Sequence, residues 1–129
     1  MGKGAARHVV TLGGTALICS RSEEKLSKAK YEIMAGIPET SSGSVRTQSL
    51  DNTNEEAVKA FFSGFEAGSI DGIIITALGR AVHGSFLELE TASVKELFEG
   101  KLWGPWYCAK YGASCIKVKN SLKKPPKSE

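Results

Sequence analysis

The sequence predicts an α/β fold built on a parallel sheet, and two observations support this prediction. Short apolar runs, typical of strands buried on both faces, alternate along the chain with segments whose apolar residues recur at helical spacing. The resulting order is helix, strand, helix, strand, helix, strand, helix, as expected for parallel strands joined by right-handed crossovers. With 129 residues, 41% of them hydrophobic and 24% charged, the chain has the size and composition of one globular domain.

The first half of the chain predicts two helices and two strands. A short helix is expected over residues 4–12, before the glycine pair at 13–14. The run Thr15–Ser20 is apolar almost throughout and predicts the first strand. Ser22 precedes two glutamates, which is the pattern of a helix N-cap, and a second strand is expected over residues 45–50.

The second half continues the same alternation. A turn at residues 51–53 precedes a helix predicted over residues 54–68. Residues 71–76 (Asp-Gly-Ile-Ile-Ile-Thr) are the most apolar run and predict a third strand. A long helix is then expected from Thr91 to about Ile116, with a kink at Pro105.

The positive charge of the chain is concentrated at its end. Residues 117–129 contain five lysines and one glutamate, an excess larger than the net charge of +3 of the whole chain. The rest is therefore not a basic surface, and no nucleic-acid partner is expected. We predict a folded domain over residues 1–117 and a basic, disordered tail over residues 118–129.

Several other site classes are not supported by the residue pattern. No apolar run approaches the ~20 residues of a membrane span, and no signal peptide is recognisable, so a cytoplasmic protein without membrane contact is expected. The three cysteines lack the spacing of a disulfide framework or a zinc site. His8 and His83 have no further ligands at metal-binding spacing, so no metal is predicted.

Polar residues follow each predicted strand, where parallel sheets bind ligands. Arg21 follows the first strand and offers a planar, permanently charged fork for a phosphate. Asp51 follows the second strand and can accept a hydrogen bond from an amino group such as that of adenine. A solvated strand-end arginine and a simple helix-capping aspartate are the alternative interpretations of these two residues.

Taken together, these segments resemble the short-chain dehydrogenase/reductase family. Residues 1–6 (Met-Gly-Lys-Gly-Ala-Ala) are similar to the end of the family's glycine-rich loop, with Gly2 at its last glycine. Residues 71–79 are similar to the strand that ends in the family's Asn-Asn-Ala-Gly signature, of which Ala77 and Gly79 are present. Residues 98–104 resemble the helix segment that holds the family's catalytic asparagine, and Lys101 stands at that position.

The resemblance implies a partial Rossmann-type sheet of three strands and about four helices, truncated at both ends. The family's first strand, expected between the Thr15–Ser20 and 71–76 strands, is missing, and so is the C-terminal half. The resemblance also implies NADP as cofactor, because Cys19-Ser20-Arg21 contains no acidic residue that would favour an unphosphorylated ribose. The cofactor-binding residues it implies are Gly2, Ser20, Arg21, Asp51, Asn52, Ala77 and Gly79.

The same resemblance places the family's catalytic serine and Tyr-x-x-x-Lys pair outside this chain. The expected function is that of an NADP(H)-dependent oxidoreductase acting on an alcohol or carbonyl, in a chain that is itself inactive. The alternative is a non-catalytic interaction module that dimerises with a copy of itself or a full-length relative through residues 91–117. Trp103, Trp106 and Tyr107 would anchor that interface, although packing within the chain is an equal possibility.

Overall fold

A computed structural model describes residues 1–77 and 82–118 of the chain. Its regular elements are three helices and two strands in the first half, α1 (Gly2–Thr11), β1 (Thr15–Ser20), α2 (Glu23–Met34), β2 (Ser44–Ser49) and α3 (Glu55–Ser63), followed by α4 (Thr91–Phe98) and α5 (Gly104–Gly112). A π-helix, Glu99–Trp103, joins α4 to α5, and short 3₁₀ helices occupy Phe86–Glu88 and Ala113–Cys115. The α/β fold class predicted from the sequence is confirmed.

The sheet consists of β1 and β2, which are parallel and pair in continuous register from Thr15 opposite Ser44 to Ser20 opposite Ser49. Helices α1 and α2 cover one face of it. Their contacts with the sheet form the sheet core, which comprises the buried side chains Ala6, Val10, Ile33 and Val45. Ala16 and Ile18 of β1 pack against this core, and so they mark the face of β1 that α1 and α2 cover.

The helices α3 and α5 form a second cluster, the helix core, which comprises Val58, Phe62, Cys108 and Cys115. Leu50, Ile70 and Ile73 pack against it from the connecting segments. At the edge of this cluster, Glu55 accepts hydrogen bonds from the hydroxyl of Tyr111 (2.7 Å) and from the ammonium of Lys110 (3.1 Å), which tie α3 to α5. The sheet core and the helix core share no buried residue.

The predicted third strand over residues 71–76 is wrong as a member of the sheet. Its pairing is confined to one parallel bridge between Ile70 and Ile116, and residues 72–77 form neither helix nor strand. A strand requires a neighbour for its amides and carbonyls, and neither β1 nor β2 pairs with this segment. Ile74 is consequently 69% exposed despite its apolar character.

The first helix and the second strand are shifted by one or two residues from their predicted ranges, and two further predictions of helix length were wrong. The helix expected to reach residue 68 ends at Ser63, where Gly64 follows and residues 64–68 turn toward Ile70. The long helix expected from Thr91 is divided by the π-helix just before Pro105. Proline has no amide hydrogen to donate to the carbonyl four residues earlier, and this loss explains the local change in hydrogen-bond pattern.

Candidate functional site

The carboxyl ends of β1 and β2 lie side by side. The amide of Leu50 donates to the carbonyl of Ser20 (3.0 Å), and the hydroxyl of Ser49 donates to the carbonyl of Arg21 (3.5 Å). The parallel register therefore brings Arg21 and Asp51 to the same edge of the sheet, as their positions after the two strands predict.

Asp51 is held in a fixed orientation by Thr53. Its Oδ1 accepts hydrogen bonds from the backbone amide (3.0 Å) and from the hydroxyl (2.7 Å) of Thr53. Burial acts to raise the pKa of the Asp51 carboxyl, but the two bonds from Thr53, with help from the nearby Arg21 charge, lower it below its ordinary value. Asp51 is therefore an anion, and neither bond from Thr53 uses its second oxygen.

Ser20 and Ser22 shape the backbone on either side of Arg21. The amide of Ser22 donates to the Ser20 hydroxyl (3.5 Å), and the Ser22 hydroxyl accepts from the amide of Lys25 (3.3 Å) as the predicted N-cap of α2. Arg21 itself is exposed. Its guanidinium is thus presented to solvent from a strand-to-helix turn whose ends are both hydrogen-bonded.

Asn52 lies against the start of α5. A Cβ atom placed on Gly104 would overlap Nδ2 of Asn52 and lie 3.0 Å from its Cγ. Nδ2 is buried and has no hydrogen-bond partner within the described part of the chain. Lys101, the predicted catalytic residue, lies three positions before Gly104 on the π-helix and is exposed.

Gly2 begins α1 against the segment that was predicted as the third strand. A Cβ atom on Gly2 would lie 2.8 Å from Oγ1 of Thr76, so this close approach requires a glycine. Ala77, the next residue, is exposed, and Gly79 falls outside the residues that the structure describes. The contact places the N-terminus of α1 beside the end of the 72–77 segment.

The predicted residues thus form three local groups. The structure brings together Ser20, Arg21 and Asp51, and it separately pairs Gly2 with Thr76 and Asn52 with Gly104. Thr53, Thr76 and Gly104 were not among the predicted site residues. An Asp-x-Thr turn signals the role of Thr53, whereas the other two contacts arise only from the tertiary fold.

Residues 1–77 and 82–118 contain neither a metal-binding cluster nor a helix that could span a membrane. There, no group of three or more His, Cys, Asp or Glu side chains could hold a metal ion. The helices of the same residues are all too short or too polar to cross a membrane.

Comparison with solved structures identifies the fold. The chain is 25% identical to a short-chain type dehydrogenase/reductase from Mycobacterium ulcerans, with a TM-score of 0.78 over 88% of this chain and 42% of that one. It is 24% identical to an alcohol dehydrogenase from the archaeon Thermococcus sibiricus, solved with 5-hydroxy-NADP, with a TM-score of 0.69 over 88% and 48% of the two chains. A metagenomic short-chain oxidoreductase, solved with NADP, is 20% identical and matches with a TM-score of 0.60 over 85% and 48%.

Searches with protein-family models and among curated proteins found no match. The three structural matches nevertheless agree with one another in fold. The predicted resemblance is confirmed: the chain has the fold of the short-chain dehydrogenase/reductases and spans about half the length of the solved proteins that it matches.

Proposed function

We propose that this chain carries the adenosine side of the NADP(H) site of a short-chain dehydrogenase/reductase, and that it does not catalyse hydride transfer by itself. The observation that supports this is the placement of Arg21 and Asp51 at one edge of the sheet, after two parallel strands. Ligands of open parallel sheets bind at this edge. Proteins of the same fold were solved with NADP and with 5-hydroxy-NADP.

The residues present suit the adenosine half of such a nucleotide. Arg21 is exposed and can form a bidentate contact with a phosphate on the adenosine ribose. The second oxygen of Asp51 can accept a hydrogen bond from the adenine amino group. Gly2 at the start of α1 is placed where the first amides of a helix can approach a pyrophosphate.

The nicotinamide of a bound cofactor would supply the hydride, but this chain does not contain the pair of residues that the family uses for proton transfer. The family's reaction uses a tyrosine with a lysine four positions later. Here Tyr31, Tyr107 and Tyr111 are followed at that distance by alanine, tyrosine and cysteine. Lys101 stands at the asparagine position as an exposed cation and does not replace the pair.

Nucleotide binding tests this proposal. Calorimetric titration of the chain should show NADPH binding at least about tenfold tighter than NADH, because only NADPH has a ribose phosphate for Arg21. Arg21→Ala should remove that preference. Arg46→Ala, which removes an exposed arginine from β2, is the matched control and should retain it.

The outcome that contradicts the binding role is equal affinity for the two nucleotides, or a preference for NADPH that survives in Arg21→Ala. The catalytic part of the proposal is tested by NADPH consumption with a panel of ketones and aldehydes. Turnover that Lys101→Ala abolishes would show that the chain is an enzyme in its own right.

A second candidate function, an interaction module, is favoured by a separate observation. Phe98, Leu102 and Trp106 follow one another at four-residue spacing across the π-helix, and they are 54%, 50% and 57% exposed. Trp103, 43% exposed, stacks on Tyr107 with 6.3 Å between ring centroids. Exposed aromatic side chains on one helical stretch are typical anchors of protein interfaces.

Light scattering tests the interaction module. We expect the chain to form a dimer, alone or with a full-length relative, and Trp106→Ser to weaken it at least about tenfold. Tyr31→Ser is the matched control, since Tyr31 is a 77% exposed aromatic residue on α2. If the chain stays monomeric both alone and in the presence of a full-length relative, this second function is contradicted.

A further inference from the structure

The sheet has a second face, opposite the one that α1 and α2 cover. Ala16 and Val45 are partners in the register, and both pack into the sheet core under α1 and α2. Side chains alternate between the two faces of a strand, so Leu17 of β1 and Gln48 of β2 lie on the second face. Leu17 is 38% exposed although it is apolar, so this face is only partly covered.

A groove runs between this second face and α3. Its volume is about 480 Å³, which is within the range of small-molecule sites in proteins. The apolar side chains that line it come from the two strands, from α3 and from the turn after α3: Leu17, Leu50, Ala57, Ala60, Phe61 and Phe65. The described residues that line it include none from the 72–77 segment or from α5, so the groove belongs to β1, β2 and α3.

The sequence of α3 shapes the groove. The side of α3 that carries Val58 is buried in the helix core. Ala57, Ala60 and Phe61 follow one another at a spacing of three and four residues on another side of the helix, which lines the groove. The two alanines leave room for a ligand. Phe61 and Phe65 form an aromatic wall, with 5.2 Å between their ring centroids in an edge-to-face arrangement.

The end of the groove at the carboxyl ends of the strands is polar. Asp51 lines it there, as an anion whose second oxygen is not used by Thr53. Among the described residues that line the groove, Asp51 is the one ionisable group. Glu55, at the start of α3, is engaged by α5 instead, where it binds Lys110 and Tyr111. The groove thus combines an aromatic wall with a single negative charge.

The positive charge of Arg21 does not cancel that of Asp51 for a ligand inside the groove. Arg21 is near enough to Asp51 for their charges to interact, but it is exposed and does not line the groove. Water and salt therefore screen the charge of its guanidinium. A positively charged group inside the groove would interact with Asp51 against apolar walls, where the attraction between charges is stronger than in water.

We propose that this groove, the α3 groove, binds an arylalkylamine, a small molecule in which a short carbon chain joins an aromatic ring system to a protonated amine. The ring packs on Phe61 and Phe65, and the amine donates a charge-assisted hydrogen bond to the carboxylate of Asp51. A carboxylate in place of the amine is repelled by Asp51. The proposal goes beyond the nucleotide-binding function above and does not rest on it, because Arg21 takes no part in it.

Amide NMR spectroscopy of the full chain tests the proposal with two probes that share an indole ring. Tryptamine carries an ammonium group, and indole-3-propionate carries a carboxylate on a side chain of similar length. We expect tryptamine to shift the amide signals of Ala57, Ala60 and Phe61 and to bind at least about tenfold more tightly than indole-3-propionate. The amides of Ile33 and Met34 should not shift, because α2 lies on the other face of the sheet.

Variants separate the two ends of the groove. Ala60→Leu fills it from an exposed helical position and should weaken tryptamine binding at least about tenfold, whereas Ala109→Leu, the same change at an exposed position of α5, should not. Asp51→Asn removes the charge and should reduce the affinity for tryptamine to that for indole-3-propionate. Arg21→Ala should retain the preference for tryptamine while it loses the preference for NADPH, so the two proposed functions can fail separately.

Three results would overturn the proposal. The first is the absence of shifts in the amide signals of α3 at millimolar tryptamine. The second is equal affinity for the two probes, or a preference for tryptamine that Asp51→Asn retains, because the amine then does not bind Asp51. The third is equal tryptamine binding by Ala60→Leu and the parent chain, which would place the indole ring outside the α3 groove, for example on the exposed Trp103.

Discussion

Asn52 and Gly104 are in direct contact, so that the turn after β2 rests on the first residue of α5 with no room for a side chain between them. The amide group of Asn52 is buried there without a hydrogen-bond partner in the described residues. This contact fixes where α5 starts relative to the sheet, and Lys101 and the π-helix lie immediately before it.

Gly104→Ala should therefore destabilise the protein. The added methyl group must displace Asn52, and overpacking of this kind costs about 1–3 kcal/mol. Urea denaturation measures the difference in the free energy of unfolding between Gly104→Ala and the parent chain. Gly4→Ala in α1 is the control, because no atom lies within 4 Å of the added methyl and alanine favours a helix. Equal stability of Gly104→Ala and the parent chain would show that the contact is not rigid.

Thr53→Val should weaken the protein in a pH-dependent way. The Thr53 hydroxyl helps to lower the pKa of Asp51, so its contribution is present above the ordinary carboxyl pKa and is lost as pH falls through the lowered value. At neutral pH we expect a loss of about 0.5–1 kcal/mol, small because Asp51 is partly exposed.

Denaturation of the parent chain and Thr53→Val at pH 7 and pH 2.5 checks this expectation, and NMR titration of Asp51 should show a higher pKa in the variant. Thr47→Val, an exposed substitution on β2, should change neither quantity. A stability difference that is the same at both pH values would mean that the hydroxyl acts on packing and not on the Asp51 charge.

Cys19 should react slowly for an exposed thiol. The thiolate is the reactive form, and a pKa of about 11 leaves little of it at pH 8. We expect alkylation at least about tenfold slower than for a free cysteine, rising up to about pH 11. Cys19→Ser, monitored by mass spectrometry, identifies the modified site. Rapid alkylation of Cys19 at pH 8 would contradict the partial burial of its thiol.

Asn54→Ala should destabilise α3. The side chain of Asn54 accepts a hydrogen bond from the amide of Ala57 (3.0 Å), and the loss of such an N-cap costs about 1 kcal/mol. Glu90→Ala is a matched control, since Glu90 is the N-cap residue of α4 but makes no capping hydrogen bond with its side chain. Thermal denaturation should give a lower melting temperature for Asn54→Ala than for Glu90→Ala. Equal melting temperatures would show that the Asn54 cap contributes nothing to stability.

Local patterns predicted most of the fold, since the signals for β1, β2 and α2 lie within the segments themselves. The N-cap at Ser22, for instance, depends only on the residues that follow it, and its hydrogen bond to Lys25 is present. The run at residues 71–76 failed as a strand because apolar composition predicts burial, whereas strand formation depends on a partner elsewhere in the chain. Pro105 signalled an irregularity, but its form, a π-helix, depends on the hydrogen bonds of the whole helix.

Some features of the candidate site could also be predicted from local patterns, whereas others depend on the tertiary fold. Arg21 and Asp51 could be placed at one edge because parallel strands end together, a rule that needs no tertiary detail. The contacts of Gly2 with Thr76 and of Asn52 with Gly104 join residues more than 50 positions apart. Such contacts follow from helix placement, which composition and spacing do not specify.

The absence of a shared residue between the sheet core and the helix core has a consequence for cooperativity. Leu50 is the strand-end residue that packs on the helix core, so the buried apolar contacts that join the two cores are few. Scanning calorimetry should show a van't Hoff enthalpy smaller than the calorimetric enthalpy, the mark of two units that melt at different temperatures.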